Sequence, residues 1–366
     1  MLRLFALSAI VLCALTAASQ EPDDLFRAAV DAQQRGDLKT AIRDYQDLLK
    51  RQPKAVNVRA NLGVSLAQLG RFDEAIAEYR SALQLDPGNS AIRLNLGLAF
   101  YKRGDWQNAS AEFEEVHKLA PADPRAATLL GDCLLHLGQA DEAARLTVPL
   151  AKSQPDNLDV AFVAGSALIR SGKRRDGLVF IERVAKQQNS ADAYLLAGST
   201  WLDLNEFETA RRDLELALRL NPNLPGIHTV LGMALDKSGE PDAAEPELRR
   251  ALQLNPNEFQ ANLYLGAILY KRRDLDSARK FLQDALQLEP SSALARFEFA
   301  QVESASGQTE AAVADLQRAA EQDPHWLEPH VQLAALYYKL HRPDEGAKER
   351  AMVDKITAEQ QKRGPQ

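Results

Sequence analysis

Apolar and small residues return along this chain with a helical beat inside short segments and a longer beat between them. Over 56–89, Leu62, Gly63 and Leu66 fall at helical spacing, and Ala75, Tyr79 and Ala82 do the same further on. Each set is the i, i+3, i+4, i+7 stripe of a helix that buries one face. Gly70 stands where the first helix should end, because glycine takes the left-handed cap conformation at little cost. Asp73 and Glu74 open the second helix, where carboxylates favour the positive end of the dipole. Pro87 bars continuation because it has no N–H to donate.

The same segment recurs every 34 residues, at Pro53, Pro87, Pro121 and Pro155 and again at Pro222, Pro256, Pro290 and Pro324. The 67 residues between Pro155 and Pro222 hold one further copy with a one-residue deletion, with Asn189 in place of its proline. A small residue marks the eighth position of every copy: Ala29, Gly63, Gly97, Gly131, Gly165, Gly198, Gly232, Gly266, Ala300 and Ala334. Alanine marks the twentieth in eight of them, from Ala41 and Ala75 to Ala312.

A 34-residue helix–turn–helix with this small-residue and proline pattern resembles the tetratricopeptide repeat. Ten copies span 22–55, 56–89, 90–123, 124–157, 158–190, 191–224, 225–258, 259–292, 293–326 and 327–360. The tryptophan usual in the family at position four is missing throughout, with Tyr194 the nearest substitute. Length alone would predict two or more domains. Repeats whose apolar faces only their neighbours can cover instead predict one solenoid over 21–366. The resemblance implies an all-α, right-handed superhelix. The fifth repeat, with Gly177 where alanine is expected, and Pro149 just before it make 145–190 the stretch expected to be least regular. Pro149 and Pro246 each remove a helix hydrogen bond and predict a bend. The final helix, from Pro343, is rich in charge and reads as a polar end cap.

Residues 1–20 read as a cleaved secretory signal. Arg3 precedes an uncharged apolar run from Leu4 to Leu15, followed by small residues Thr16 to Ser19. That run falls short of the ~20 apolar residues a membrane span needs, so no stable span is expected after cleavage. Losing Arg3 takes the formal charge from −7 to −8. An acidic exported chain, periplasmic or secreted, lacks the basic stripe that nucleic acid asks for. Only Cys133 survives cleavage, and its place inside a helix predicts a small buried hydrophobe.

On the helical wheel, positions four, seven, eight and eleven of each first helix cluster at about 30° and positions two, six, nine and thirteen at about 210°. The resemblance implies that the second group lines a concave surface that holds peptides. Position six reads Arg27, Asn61, Asn95, Leu129, Val163, Leu196, Val230, Tyr264, Glu298 and Gln332. Asn61 and Asn95 resemble the first rungs of the asparagine ladder in the repeat arm of O-linked N-acetylglucosamine transferases; solvated polar residues are the alternative. From Leu129 to Tyr264 the apolar run is either a groove for a peptide or helix or packing against the neighbouring repeat. Position thirteen adds Lys102, His136, Arg170, Lys237, Lys271 and Lys339, broken by Asp203 and by Ala305; the row is either a set of cations suited to an acidic-hydrophobic segment or a solvated charge row. The partner-binding candidates are therefore Asn61, Asn95, Val163, Leu196, Val230 and Tyr264. The carboxylate clamp known in this family is excluded, since of Phe26, Val30, Asn61, Ala91 and Asn95 only Asn61 matches it.

No chemistry emerges. The six histidines form no pair or cluster with zinc spacing, no glycine-rich loop follows a strand, and the carboxylates sit on solvated faces. The expectation is a non-enzymatic scaffold without cofactor or metal that binds a protein segment, in cell-envelope assembly or secretion. A self-associating structural protein is the alternative, and the sequence leaves the oligomeric state open.

Overall fold

The computed structural model describes residues 22–363, so the signal expected at 1–20 lies outside the described residues. Among the described residues there are twenty α-helices and no strand. They pair in chain order: α1 (Pro22–Gln34) with α2 (Leu38–Arg51), then α3 (Val56–Gln68) with α4 (Phe72–Leu85). Next come α5 (Ser90–Arg103) with α6 (Trp106–Leu119) and α7 (Pro124–His136) with α8 (Ala140–Ser153). α9 (Leu158–Arg170) pairs with α10 (Arg174–Gln188), and α11 (Ala191–Asp203) precedes α12 (Phe207–Leu220). α13 (Ile227–Lys237) pairs with α14 (Pro241–Leu254) and α15 (Phe259–Lys271) with α16 (Leu275–Leu288). α17 (Ala293–Ala305) with α18 (Thr309–Gln322), and α19 (Leu327–Lys339) with α20 (Pro343–Arg363), complete the order.

The chain divides into two compact units, one ending at Ala193 and the other beginning at Tyr194. In the first, α1 packs on α3, α3 on α5 and α7 on α9, so first helices line up side by side. In the second, α13 packs on α15 and α15 on α17 in the same way. Within each unit, neighbouring pairs thus cover one another's apolar faces, which is how repeats without a core of their own become stable.

Position eight is small because position twenty-four of the same repeat seats on it. A Cβ added to Gly63 would lie 2.5 Å from the Tyr79 ring, and one on Gly97 2.6 Å from Phe113. Ile181 fills this seat over Gly165, and in the second unit Leu214, Leu248 and Leu282 fill it over Gly198, Gly232 and Gly266. Burying such a side chain contributes about 1.5–3 kcal/mol. The eight alanines at position twenty are fully buried.

The fifth repeat departs from its neighbours by a close approach of its two helices. Gly177 is no mere weakness: a Cβ there would lie 2.6 Å from the Gly165 carbonyl oxygen and 2.7 Å from Ile169 Cγ1. The backbones of α9 and α10 come too close for alanine. Asn189, at φ 51°, ends α10 in the left-handed conformation that asparagine tolerates. Helices α8 and α14 continue through the exposed Pro149 and Pro246.

In five repeats position four, without its tryptophan, carries a polar clip instead. Arg59 bonds Glu78 on the paired helix at 2.7 Å and donates to the Pro53 carbonyl at 2.8 Å. Arg93 does the same with Glu112 (2.9 Å) and the Pro87 carbonyl (3.0 Å). Arg296 reaches Asp315 and the Pro290 carbonyl, and His228 reaches Glu247 and the Pro222 carbonyl. His330 meets Glu349 at 2.6 Å. The carboxylate always stands nineteen residues after its partner. Where position four is Ala127 or Ala161, that later place holds Leu146 or Phe180. Each clip ties a repeat's two helices together, and those with a proline carbonyl also tie down the entry loop.

Two outcomes follow for stability. Helix propensity alone makes Gly177→Ala favourable by ~1 kcal/mol. The contact with the Gly165 carbonyl predicts a loss of roughly 1–3 kcal/mol in urea denaturation instead; a gain would refute the close packing. Arg93→Ala should cost about 1–3 kcal/mol because it strands a half-buried Glu112. The double variant with Glu112→Ala should lose less than the sum of the single losses; additive losses would show that the two do not interact.

Candidate functional site

Three of the residues that the sequence singles out share one register on the first helices of the second unit. Leu196 on α11, Val230 on α13 and Tyr264 on α15 are all partly exposed, neither sealed in the core nor fully solvated. They occupy one register on successive first helices. Lys237 and Lys271, one helical face further along, are exposed beside them. The Lys237 ammonium lies 5.7 Å from the Tyr264 ring centroid, a cation–π distance. Lys271 lies 3.4 Å from Asp236 Oδ1.

Electrostatics vary along this face. At the same register on α17, burial holds the Glu298 carboxyl above its ordinary range, against the pull of Lys271. Burial also raises the Tyr264 hydroxyl. The face therefore runs from apolar at Leu196 and Val230 to a mixed cluster of Tyr264, Asp236, Glu298 and two lysines. Asp236 was not among the sequence candidates; its acidic side chain at position twelve, where Lys271 of the next repeat reaches, was the available signal.

In the first unit the same register behaves differently. Val163 is fully buried and corrects the sequence reading: its Cγ1 would lie 2.9 Å from a Cβ on Gly131, so it fills the space left by the small Thr147. It lines no surface. Leu129 is buried too. Asn61 is partly exposed and hydrogen-bonds to the Tyr45 hydroxyl, and Asn95 is partly exposed. Nearby, the His136 ring stacks on Trp106 at 4.0 Å between centroids and 7° between planes. The Tyr101 hydroxyl donates to Asp132, whose carboxylate lies 3.7 Å from His136 Nε2. Arg170 donates to the Leu135 carbonyl at 3.0 Å. His136 and Arg170 are thus held by local partners while remaining exposed.

Two hollows lie elsewhere, at junctions between repeats. One of 650 Å³ is lined by the loop from Ser153 to Asp159 together with Gln188. The other, of 410 Å³, lies among Leu224, Gly226, Thr229, Leu254 and Phe259. The second also holds His228, which is paired with Glu247, and Thr229, whose hydroxyl donates to Glu258 at 2.6 Å. Among the described residues no group of three or more histidine, cysteine or carboxylate side chains could hold a metal. No helix among them is long and apolar enough to cross a membrane. Cys133 is fully buried, with its thiol pushed up to about 12 by burial, then by the Asp132 charge, as its place in the helix predicts for an inert core thiol.

Comparison with known proteins adds a family to this geometry. One tetratricopeptide repeat model matches residues 26–90, 94–157 and 229–293, and a second matches 191–224. No curated protein matches the chain. Among solved structures, the APC/C hetero-tetramer Cut9–Hcn1 is similar over 92% of this chain and 88% of its own, at 14% identity and a TM-score of 0.56. MamA from Desulfovibrio magneticus RS-1 is 24% identical over 46% of this chain and 96% of its own, with a TM-score of 0.42. YrrB, described as a tetratricopeptide repeat protein with an unusual peptide-binding site, is 22% identical over 50% of this chain and 94% of its own, with a TM-score of 0.42. At these identities the likeness concerns the fold alone. With the family models covering more than half its length, the chain belongs to the tetratricopeptide repeat family.

Proposed function

We propose that the chain is a protein-binding scaffold whose first-helix face in the second unit holds a segment of a partner, either extended or helical. The observation that carries this reading is the row of Leu196, Val230 and Tyr264 at one register of three successive first helices, partly exposed where core residues of the same helices are sealed. Contiguous apolar surface of this kind marks interaction sites. Lys237 and Lys271 at its rim favour a segment that mixes acidic and apolar residues. The face is built before the partner arrives, so little ordering entropy opposes binding on the scaffold side. The chain works by holding rather than by turnover.

Residues 1–20, with one arginine before an uncharged apolar run, support export to the periplasm or beyond. There a scaffold of this kind would serve envelope assembly or secretion. Photo-crosslinking in native cells tests the face directly, with a benzoylphenylalanine placed at Tyr264 and, as a control, at the exposed Gln283 on α16. Adducts to a discrete protein are expected from position 264 and not from 283. The double substitution Leu196→Ser and Val230→Ser should abolish them while leaving helical content unchanged. Equal adducts from both positions, or undiminished capture by the folded double variant, would refute the face as the site.

A further inference from the structure

Position eleven of each first helix faces the core, and down the chain it holds Ala32, Leu66, Phe100, Leu134, Leu168, Trp201, Leu235, Leu269 and, last, Tyr337. The ninth repeat breaks this column with Glu303. Its side chain is nevertheless buried, 6% exposed, and Oε2 has no hydrogen-bond partner. On α18, across the helix pair, stands Asp315, whose negative charge bears on this buried carboxyl. Asp315 in turn accepts from Arg296 at 3.1 Å and Arg318 at 3.4 Å. A carboxyl in a leucine's place costs stability unless it is fully satisfied, and this one is not.

We propose that Glu303 and Asp315 form a proton-dependent latch between α17 and α18, closed when the two carboxyls carry one proton between them and loosened when both ionise. Two neighbouring carboxylates cannot both carry charge in a buried site without mutual repulsion. The arginines already serve Asp315: Arg296 is committed to it and to the Pro290 carbonyl, and Arg318 is exposed. From α16, Arg279 attracts Glu303 from a distance, with its guanidinium 5.8 Å from the Phe299 ring centroid. Asp276 and Lys280 on that helix are exposed, and Asp284 is half-buried. The single charge on α15, Lys271, is turned to Asp236 and Glu298. Glu310 and Glu321, the remaining charges on α18, are exposed. On α19, which packs against α18, Glu328 and Lys339 are exposed and the buried His330 is paired with Glu349.

Burial, then the neighbouring Asp315, raise the Glu303 carboxyl from 4.5 to about 7. A carboxyl raised on folding gives its full stabilisation below about 4.5 and loses it as pH climbs towards about 7. The ninth repeat should therefore be firm in mild acid and labile at neutral to alkaline pH, while repeats without such a pair stay unchanged. Loosening there would free the second unit's last helix pairs.

Hydrogen exchange of the whole protein at pH 5 and pH 8, corrected for intrinsic rates, tests this. Amides of α17 and α18 should lose at least about tenfold in protection at pH 8, the equivalent of one unit of pKa difference. Those of α3 to α6 should not. Glu303→Gln, which keeps the shape and cannot ionise, should abolish the difference, and Asp315→Asn, which removes the neighbouring charge but not the burial, should reduce it. Equal protection of α17 and α18 at both pH values, or an undiminished loss in both variants, would overturn the latch.

Discussion

One contact recurs through the molecule and everything else is arranged around it: the side chain at position twenty-four of a second helix seated on a residue with little or no side chain at position eight of the first. Tyr79 on Gly63 and Phe113 on Gly97 show it with rings, and Leu214, Leu248 and Leu282 show it with aliphatic chains. The glycine lets the helices approach until the larger side chain is sealed. That fixes the angle between the pair and presents the remaining apolar surface to the next repeat. Where the seat is only partly filled, as by Thr147 over Gly131, the following first helix supplies the missing volume with Val163.

Polar interactions work at the margin of this packing. The clips from Arg59, Arg93, His228, Arg296 and His330 each take over the place at which relatives put tryptophan, exchanging apolar bulk for paired charge. Partial burial makes such a pair worth more than a solvated one. It also gives these repeats an electrostatic character that the apolar fourth and fifth repeats lack. Glu303 sits beside one of these clips, so the carboxylate that secures Arg296 is also the one that confronts it.

The fold was legible because its signals were repetitive: a proline every 34 residues, small residues at one register, apolar stripes at helical spacing. The site was less so. A wheel assigns an angle to Val163 but knows nothing of the neighbouring repeat, and the cavity over Gly131 decided its burial. Leu196, Val230 and Tyr264 share its register, yet remain partly exposed. Gly177 looked like a defect because propensity sees a single helix, whereas the carbonyl of Gly165 comes from another. The clips were visible in principle as charge pairs nineteen residues apart, a spacing that has meaning only once two helices are known to lie side by side. Glu303 was visible too, as a carboxylate in a column of otherwise apolar residues.

If each pair is held by its own seat and coupled only to its neighbours, damage must stay local. Residue-resolved hydrogen exchange of Gly97→Leu tests that most directly, because leucine there drives atoms into the Phe113 ring. Protection should collapse in α5 and α6, weaken in the adjoining pairs, and stay at wild-type values in α15 and α16. A uniform loss along every helix would contradict the account.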